Sequence, residues 1–251
     1  MVGQEKMGGI EIKGLTVAYG DKRIFDGLDA AFPENEISVV LGSSGVGKTT
    51  LLNAIAGLVP YGGEIAVPKG GISYIFQKDR LIPGISVYKN LDLVLRASVK
   101  DRRVRRGMIE EMLAELEIED QIGKYPSELS GGQAQRVSMA RAFLYPSSVL
   151  LMDEPFRALD AGLKLRLLSA LDSLLEKSPR TVVYVTHDAD ECMLAADSWM
   201  VLSGCPAGIA AEGRIAVPRA ERDLAEEGLA ARRGRLFALL TDRDGRNAGR
   251  E

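Results

Sequence analysis

The most constraining stretch of this chain is Gly42-Ser43-Ser44-Gly45-Val46-Gly47-Lys48-Thr49. It leaves a short β-branched run, Ile37–Leu41, and enters a helical pattern reaching about Leu58. It matches G-x-x-x-x-G-K-[ST] in the strand–turn–helix setting that the motif needs. Glycines let the backbone curl until successive N–H groups face one anion. The dipole of the following helix adds to that pull. Lys48 offers a mobile cation for the β- and γ-phosphates of a nucleotide, and Thr49 offers a hydroxyl for Mg2+. The spacing therefore predicts nucleotide binding by Gly42, Ser43, Ser44, Gly45, Val46, Gly47, Lys48, Thr49 and Thr50.

Around this loop the chain alternates strand-like and helix-like patterns. Gly9–Tyr19 alternates apolar and polar residues, and Gly71–Phe76, Val149–Met152 and Thr181–Thr186 are apolar runs of buried-strand type. Residues 86–122 and Leu163–Glu176 have helical spacing, with Pro83, Gly84 and Lys124–Ser127 as breaks. Such alternation predicts an α/β fold with a largely parallel sheet, with a helix-rich insertion over Leu81–Tyr145. A tail over Leu224–Leu240 reads as a charge-rich helix, followed by a polar, frayed end. The 251 residues are 46% hydrophobic, enough for a real core and too apolar for disorder. No apolar run reaches the roughly 20 residues a membrane helix needs, and Met1–Gly9 lacks the apolar stretch of a secretory signal. Cys192 and Cys205 are too few for a disulfide framework and suit a reducing compartment. A net charge of −3 gives no footprint for nucleic acid.

Two further features follow strand-like runs. Val149–Met152 runs directly into Asp153-Glu154-Pro155. Paired acids at the end of a buried strand need partners, and a metal–phosphate group is one. Asp153 would then hold Mg2+ and Glu154 would polarise an attacking water as general base. His187, the sole histidine, follows Thr181–Thr186. At the carboxyl end of a parallel strand it would reach the ligand crevice and bond a γ-phosphate. A plain surface histidine at a helix start is the alternative.

Leu129-Ser130-Gly131-Gly132-Gln133 precedes a helical run, Gln133–Phe143. Ser130 and the two glycines would open that helix as a second anion-binding end. The segment resembles the LSGGQ signature of ATP-binding cassette (ABC) ATPases. Other positions resemble the same family in order and spacing over residues 10–220. Gln77 looks like the Q-loop glutamine, which touches Mg2+ and water. Ala158-Leu159-Asp160 looks like the D-loop, His187 like the switch histidine, and Tyr19 like the aromatic that stacks on adenine; for Tyr19 a sheet-edge aromatic is the alternative.

The resemblance implies a P-loop NTPase fold with a RecA-like mixed sheet core, an antiparallel β subdomain and an inserted helical (signature) subdomain. It implies one ATPase domain over residues 1–220, the helical subdomain at about 81–145, and a short helical tail at 221–251. It implies ATP and Mg2+ as cofactors, with Thr49, Gln77 and Asp153 on the metal. Glu154, His187, Lys48 and Gln77 would be catalytic. The remaining nucleotide contacts, Ser130, Gly131, Gly132, Gln133 and Asp160, would come from a second copy packed head to tail. Gln77–Leu91 and Gly208–Arg219 resemble importer ATPases of the nitrate, sulfonate and taurine group. Transmembrane permease subunits, an extracytoplasmic solute-binding protein and a place on the inner face of the cell membrane follow from that likeness. An ATPase of a lipid or lipoprotein exporter, or a non-transport cassette, is the alternative. Leu81, Ile82, Ile85 and Val87 would line a groove for a permease helix, or pack within the helical subdomain. The basic run Lys100–Arg106 reads as a solvated face. Arg157 departs from the family pattern, which often has Gly or Ser there; a long cation beside the D-loop would alter the dimer interface or bond a neighbouring carboxylate.

Overall fold

The computed structural model describes residues 8–157 and 159–241. Ala158, and the frayed end expected beyond Thr241, lie outside them. In chain order the described elements are β1 (Gly9–Tyr19), β2 (Lys22–Pro33), β3 (Ile37–Gly42), α1 (Lys48–Ile55), β4 (Gly62–Ala66) and β5 (Ile72–Ile75). There follow α2 (Val87–Leu95), α3 (Arg102–Glu115), α4 (Gly131–Leu144), β6 (Val149–Asp153), α5 (Ala161–Lys177) and β7 (Thr181–Val185). The last are α6 (Ala189–Ala195), β8 (Ser198–Gly204), β9 (Ala207–Arg214) and α7 (Glu227–Thr241). They divide into two compact units, residues 1–69 with 180–251, and residues 70–179.

In the first unit, β1 alternates buried and exposed residues and pairs antiparallel with β2 on one side and β4 on the other. A tight turn closes the β1–β2 hairpin, with Tyr19 opposite Lys22. Beside this sheet run β7, β3 and β8 in parallel, with β9 antiparallel to β8. Every residue of β3 and β7 is buried, as expected for strands covered on both faces. Fully burying each Val or Leu there contributes about 1.5–3 kcal/mol. The parallel register pairs Val40 with Val185 and Gly42 with Leu202. The residues after β3 and after β7 therefore leave the same sheet edge. Helix α7 docks on α6 through buried Leu229 and Leu236.

In the second unit, β5 and β6 pair in parallel, Ile75 opposite Met152. The segments after each thus also leave one edge. Helices α2, α3 and α4 pack together, and α4 also lies against β5. Asp92 on α2 accepts from Arg96 at 2.8 Å and from Arg105 on α3 at 2.5 Å. Burial raises the Asp92 carboxyl, but these two guanidinium hydrogen bonds outweigh it and leave its pKa below the ordinary 3.8. The basic run is therefore mixed: Arg102 and Arg103 are exposed, whereas Arg105 is a tie between helices.

The sequence pattern located β1, β3, β5, β6 and β7 but passed over β2, β4, β8, β9 and α6. β4 and β9 are Gly/Ala-rich sheet members whose neighbours, rather than their own pattern, make them strands. The largely parallel sheet is correct for β7, β3 and β8, while β9 turns back. Of the four apolar residues read as groove or core, Leu81 and Val87 are buried inside the helical layer, while Ile82 is exposed.

Candidate active site

Gly42 ends β3 and Gly47 precedes α1. A Cβ on Gly42 would stand 2.7 Å from the Leu202 carbonyl oxygen. Gly47 has φ +118°, and a Cβ there would stand 2.6 Å from Cγ2 of Ile24. Only glycine fits at either point, because the loop is pressed against β8 on one side and β2 on the other. Lys48 is buried, and its Nζ donates to the carbonyls of Gly42 at 2.7 Å and Ser43 at 3.0 Å. The ammonium is thereby folded under the loop it serves.

The start of α1 differs from those of α2 to α6 in one respect. Ser86, Asp101, Ser130, Asp160 and Asp188 each accept a backbone N–H at the start of α2 to α6 in turn. Gly47 has no side chain to do this, and α1 carries no side-chain cap. A helix start presents N–H groups without intrahelical partners, and at α1 the sequence keeps the position clear. Ser43 and Ser44 flank it and are exposed. A cavity of about 470 Å3 adjoins the loop, walled by Arg23, Ile24, Ser44, Leu202, Leu239 and Leu240 among others. Its size suits a small ligand. Tyr19, half exposed at the end of β1, is not in that wall; its hairpin neighbours Lys22 to Ile24 are. Leu239 and Leu240 come from the tail helix, and no local motif in the sequence marks them for this place. The β8 wall follows from the strand register, in which Gly42 and Leu202 are partners.

His187 lies in the same unit, exposed, between buried Thr186 and the α6 cap Asp188. Beneath it is a group that the sequence did not reveal. The buried Glu191 carboxylate accepts from the Tyr184 hydroxyl and, at 2.6 Å, from Thr186 Oγ1. The Thr186 Oγ1 in turn accepts from the Asp188 N–H at 3.1 Å. Burial, and then the Glu191 charge, push the Tyr184 phenol well up, so it stays a donor. This network fixes the residues on both sides of His187.

The second unit carries the acids. Asp153 is the buried last residue of β6. Glu154, next in the chain, has φ +47°. Its Oε2 accepts from Gln77 Nε2 at 3.1 Å and from Arg157 Nη1 at 3.0 Å. The Gln77 segment is itself anchored: Arg80 stacks on Phe76, with its guanidinium carbon 3.9 Å from the ring centre. Arg141 of α4 donates to the carbonyls of Asp79 at 2.9 Å and Arg80 at 2.8 Å. Burial lowers the Arg141 pKa from its ordinary value, which still leaves a cation at neutral pH.

Ser130 accepts from the Gln133 N–H at 3.3 Å, and Gln133 Oε1 accepts from the Ser130 N–H at 2.9 Å. The helix α4 thus begins in a reciprocal capping box. The Gln133 side chain is turned back on its own helix rather than outward. The Ser130 oxygen, used as an acceptor, keeps its own proton for a further acceptor. Gly132 leaves room for Leu159, whose Cδ2 would stand 3.0 Å from a Cβ there. Asp160 caps α5 by accepting from Leu163 N–H at 2.9 Å.

Residues 25–157 match the family described as ABC transporter. The chain belongs to the ABC transporter family. It is 38% identical over 232 residues to the aliphatic sulfonates import ATP-binding protein SsuB 2 of Pseudomonas savastanoi pv. phaseolicola, covering 92% of this chain and 83% of that protein. It is 41% identical over 217 residues to SsuB 1 of Paracoccus denitrificans, covering 85% and 86% respectively. Among solved structures it resembles the dimeric structure of MJ0796, a bacterial ABC transporter cassette. The TM-score is 0.75 and the identity 27%, over 83% of this chain and 100% of that one. A post-hydrolysis dimer of the same cassette, bound to ADP and phosphate, matches with a TM-score of 0.75 at 26% identity. As an ABC cassette the chain binds and hydrolyses ATP. No helix among the described residues is long and apolar enough to cross a membrane.

Proposed function

We propose that this cassette energises a membrane importer for a small solute of the organosulfonate class. It would act on the inner face of the cell membrane, together with permease subunits and an extracytoplasmic solute-binding protein. The proposal rests on the SsuB relatives for the transport role and on the uncapped start of α1 for the chemistry. Residues 1–220 form the ATPase domain, with a helical subdomain at about 81–145 and a tail at 221–251. Two copies act head to tail.

In each site the N–H groups of Gly42–Thr50 bind the β- and γ-phosphates, and Lys48 turns from its own carbonyls to them. Tyr19 packs on adenine. The Thr49 hydroxyl, the Asp153 carboxylate and the Gln77 amide are oxygen donors of the kind Mg2+ takes and would hold it. When bound it neutralises charge on the phosphate oxygens. Glu154 takes a proton from water as the water oxygen bonds to the γ-phosphorus and ADP departs with the bridging oxygen. His187, held by the Thr186–Glu191 network, bonds a γ-oxygen. Ser130 of the second copy donates its hydroxyl proton to the same phosphate, flanked by Gly131, Gly132 and Gln133, with Asp160 at the copy-to-copy contact.

The test is a set of three variants in ATPase and nucleotide-binding assays. Glu154→Gln retains ATP and loses at least two orders of magnitude in turnover. Lys48→Ala weakens ATP binding. Ser130→Arg binds ATP as a monomer yet fails to hydrolyse it. Full turnover by Ser130→Arg would remove the shared site. Co-purification from solubilised membranes decides the transport role: a multispanning permease is expected, and recovery with ribosomes or DNA would overturn it.

A further inference from the structure

Arg157 stands where the family pattern often has Gly or Ser, and among the described residues it forms an ion pair with Glu154. The ion pair closes over three residues at 3.0 Å, with the Glu154 side chain 13% exposed and the Arg157 side chain 60% exposed. The left-handed backbone at Glu154 makes this possible. Such a conformation costs a non-glycine residue about 1–3 kcal/mol and persists where surrounding contacts fix it. The oxygen that accepts from Arg157 is the one that accepts from Gln77. A carboxylate oxygen held by two donors aims its lone pairs at them. Oε1 carries lone pairs as well, but two bonds to Oε2 fix the plane of the carboxylate, so Glu154 meets a water placed outside that plane only by turning.

We propose that Arg157 is a positioning residue that latches Glu154 in a resting orientation, and that the contact opens in every turnover. The proposal rests on Glu154 being the general base. Gln77 is neutral and its bond is the weaker of the two, so Arg157 sets the strength of the latch. An ion pair with one partner largely in water is worth about 0–1 kcal/mol. The latch is therefore a brake of modest size rather than a block. Its removal adds at most about fivefold to the rate, which is 1 kcal/mol converted at RT.

The experiment compares wild type, Arg157→Ala, Arg157→Lys and Glu154→Gln as full-length chains in steady-state ATPase assays. The expected result is a rise in kcat of up to about fivefold for Arg157→Ala with KM for ATP unchanged, and a smaller rise for Arg157→Lys, which keeps a cation. A kcat that is unchanged or lower in Arg157→Ala overturns the latch. A second readout needs no turnover. In nucleotide-free protein carrying 15N-labelled arginine, rotation of the Arg157 guanidinium is slowed relative to exposed Arg102, and Glu154→Gln speeds it. Equal rotation of Arg157 and Arg102 in wild type overturns the latch as well. Glu154→Gln separates the two ideas: if it retains turnover, the base assignment fails; if it abolishes turnover while Arg157→Ala brings no rise, only the latch fails.

Discussion

Gly45 and Gly47 lie two residues apart in the phosphate loop, and alanine should distinguish them sharply. Both have positive φ, +81° and +118°. An alanine at either is strained by about 1–2 kcal/mol. A stiffer unfolded chain offsets about 0.4–1 kcal/mol of this, leaving a net loss near 1 kcal/mol. A Cβ on Gly45 meets nothing within 4 Å, whereas one on Gly47 stands 2.6 Å from Ile24 Cγ2 and 3.0 Å from Phe25 Cζ. Ile24 and Phe25 are buried in β2 and cannot swing away. Overpacking of that kind adds about 1–3 kcal/mol. The loss is taken either as stability or, if the loop shifts to relieve it, as ATP affinity, at tenfold per 1.4 kcal/mol. Thermal melting and titration with a fluorescent ATP analogue read both. If stability takes the whole loss, Gly47→Ala melts about 2–12 °C below Gly45→Ala, at about 2–4 °C per kcal/mol for a chain of this size. A second change, Ile24→Ala, should soften the effect of Gly47→Ala, giving a non-additive cycle. If Gly47→Ala matches Gly45→Ala in both melting and affinity, the loop is not pressed on β2 and the steric argument is wrong.

Other expectations follow from the same packing. Glu191→Ala removes the carboxylate that the buried Tyr184 and Thr186 hydroxyls share, at about 1–3 kcal/mol for a buried donor losing its acceptor; melting should fall, and ATPase activity should fall further than melting explains because Thr186 adjoins His187. Asp92→Asn should destabilise the chain near neutral pH by removing the charge that Arg96 and Arg105 share. The Asp92 carboxyl is depressed in the folded state, so its stabilisation is present above the ordinary 3.8 and is lost as pH falls through the lower folded value; urea titrations of wild type and variant should therefore converge in acid. Leu236→Ala, at the docked face of α7, should cost about 2–5 kcal/mol by calorimetry if the tail is part of the folded unit.

What the sequence made legible, and what it hid, divides along a physical line. The loop and the capping serine of α4 are local patterns, each carried by a few consecutive residues whose backbone geometry follows from their types, and the acids after β6 are two consecutive residues at a strand end. Ser130 was placed at a helix start because a serine and two glycines precede a helical run; the reciprocal bond from Gln133 came only with the structure. By contrast, the tie between Asp92 and Arg105 joins two helices whose packing had to be known first. Arg141, which pins the Gln77 segment to α4, was invisible for the same reason: its acceptors are backbone carbonyls sixty-odd positions away, and every residue has a carbonyl. Leu239 and Leu240 reach the cavity wall only because α7 docks on α6.

Arg157 is the instructive middle case. A bond to a neighbouring carboxylate was one of two readings of the sequence, the other being an altered contact between copies, and the structure makes that carboxylate Glu154, three residues away. Three-residue spacing brings side chains together on a helix, but these two residues lie between β6 and α5. What brings them together is the positive φ at Glu154, a conformation glutamate seldom takes and no residue pattern announces. The same turn presents the acid to Gln77, so one backbone irregularity sets both of the partners that Glu154 Oε2 has here. If the left-handed turn at Glu154 were relaxed, both donors would lose the same oxygen together. A Glu154→Gly variant rescued by no external carboxylate, beside a Pro155→Ala variant that retains turnover, would locate the constraint in the Glu154 side chain. Loss of turnover in Pro155→Ala would place it instead in the backbone that follows.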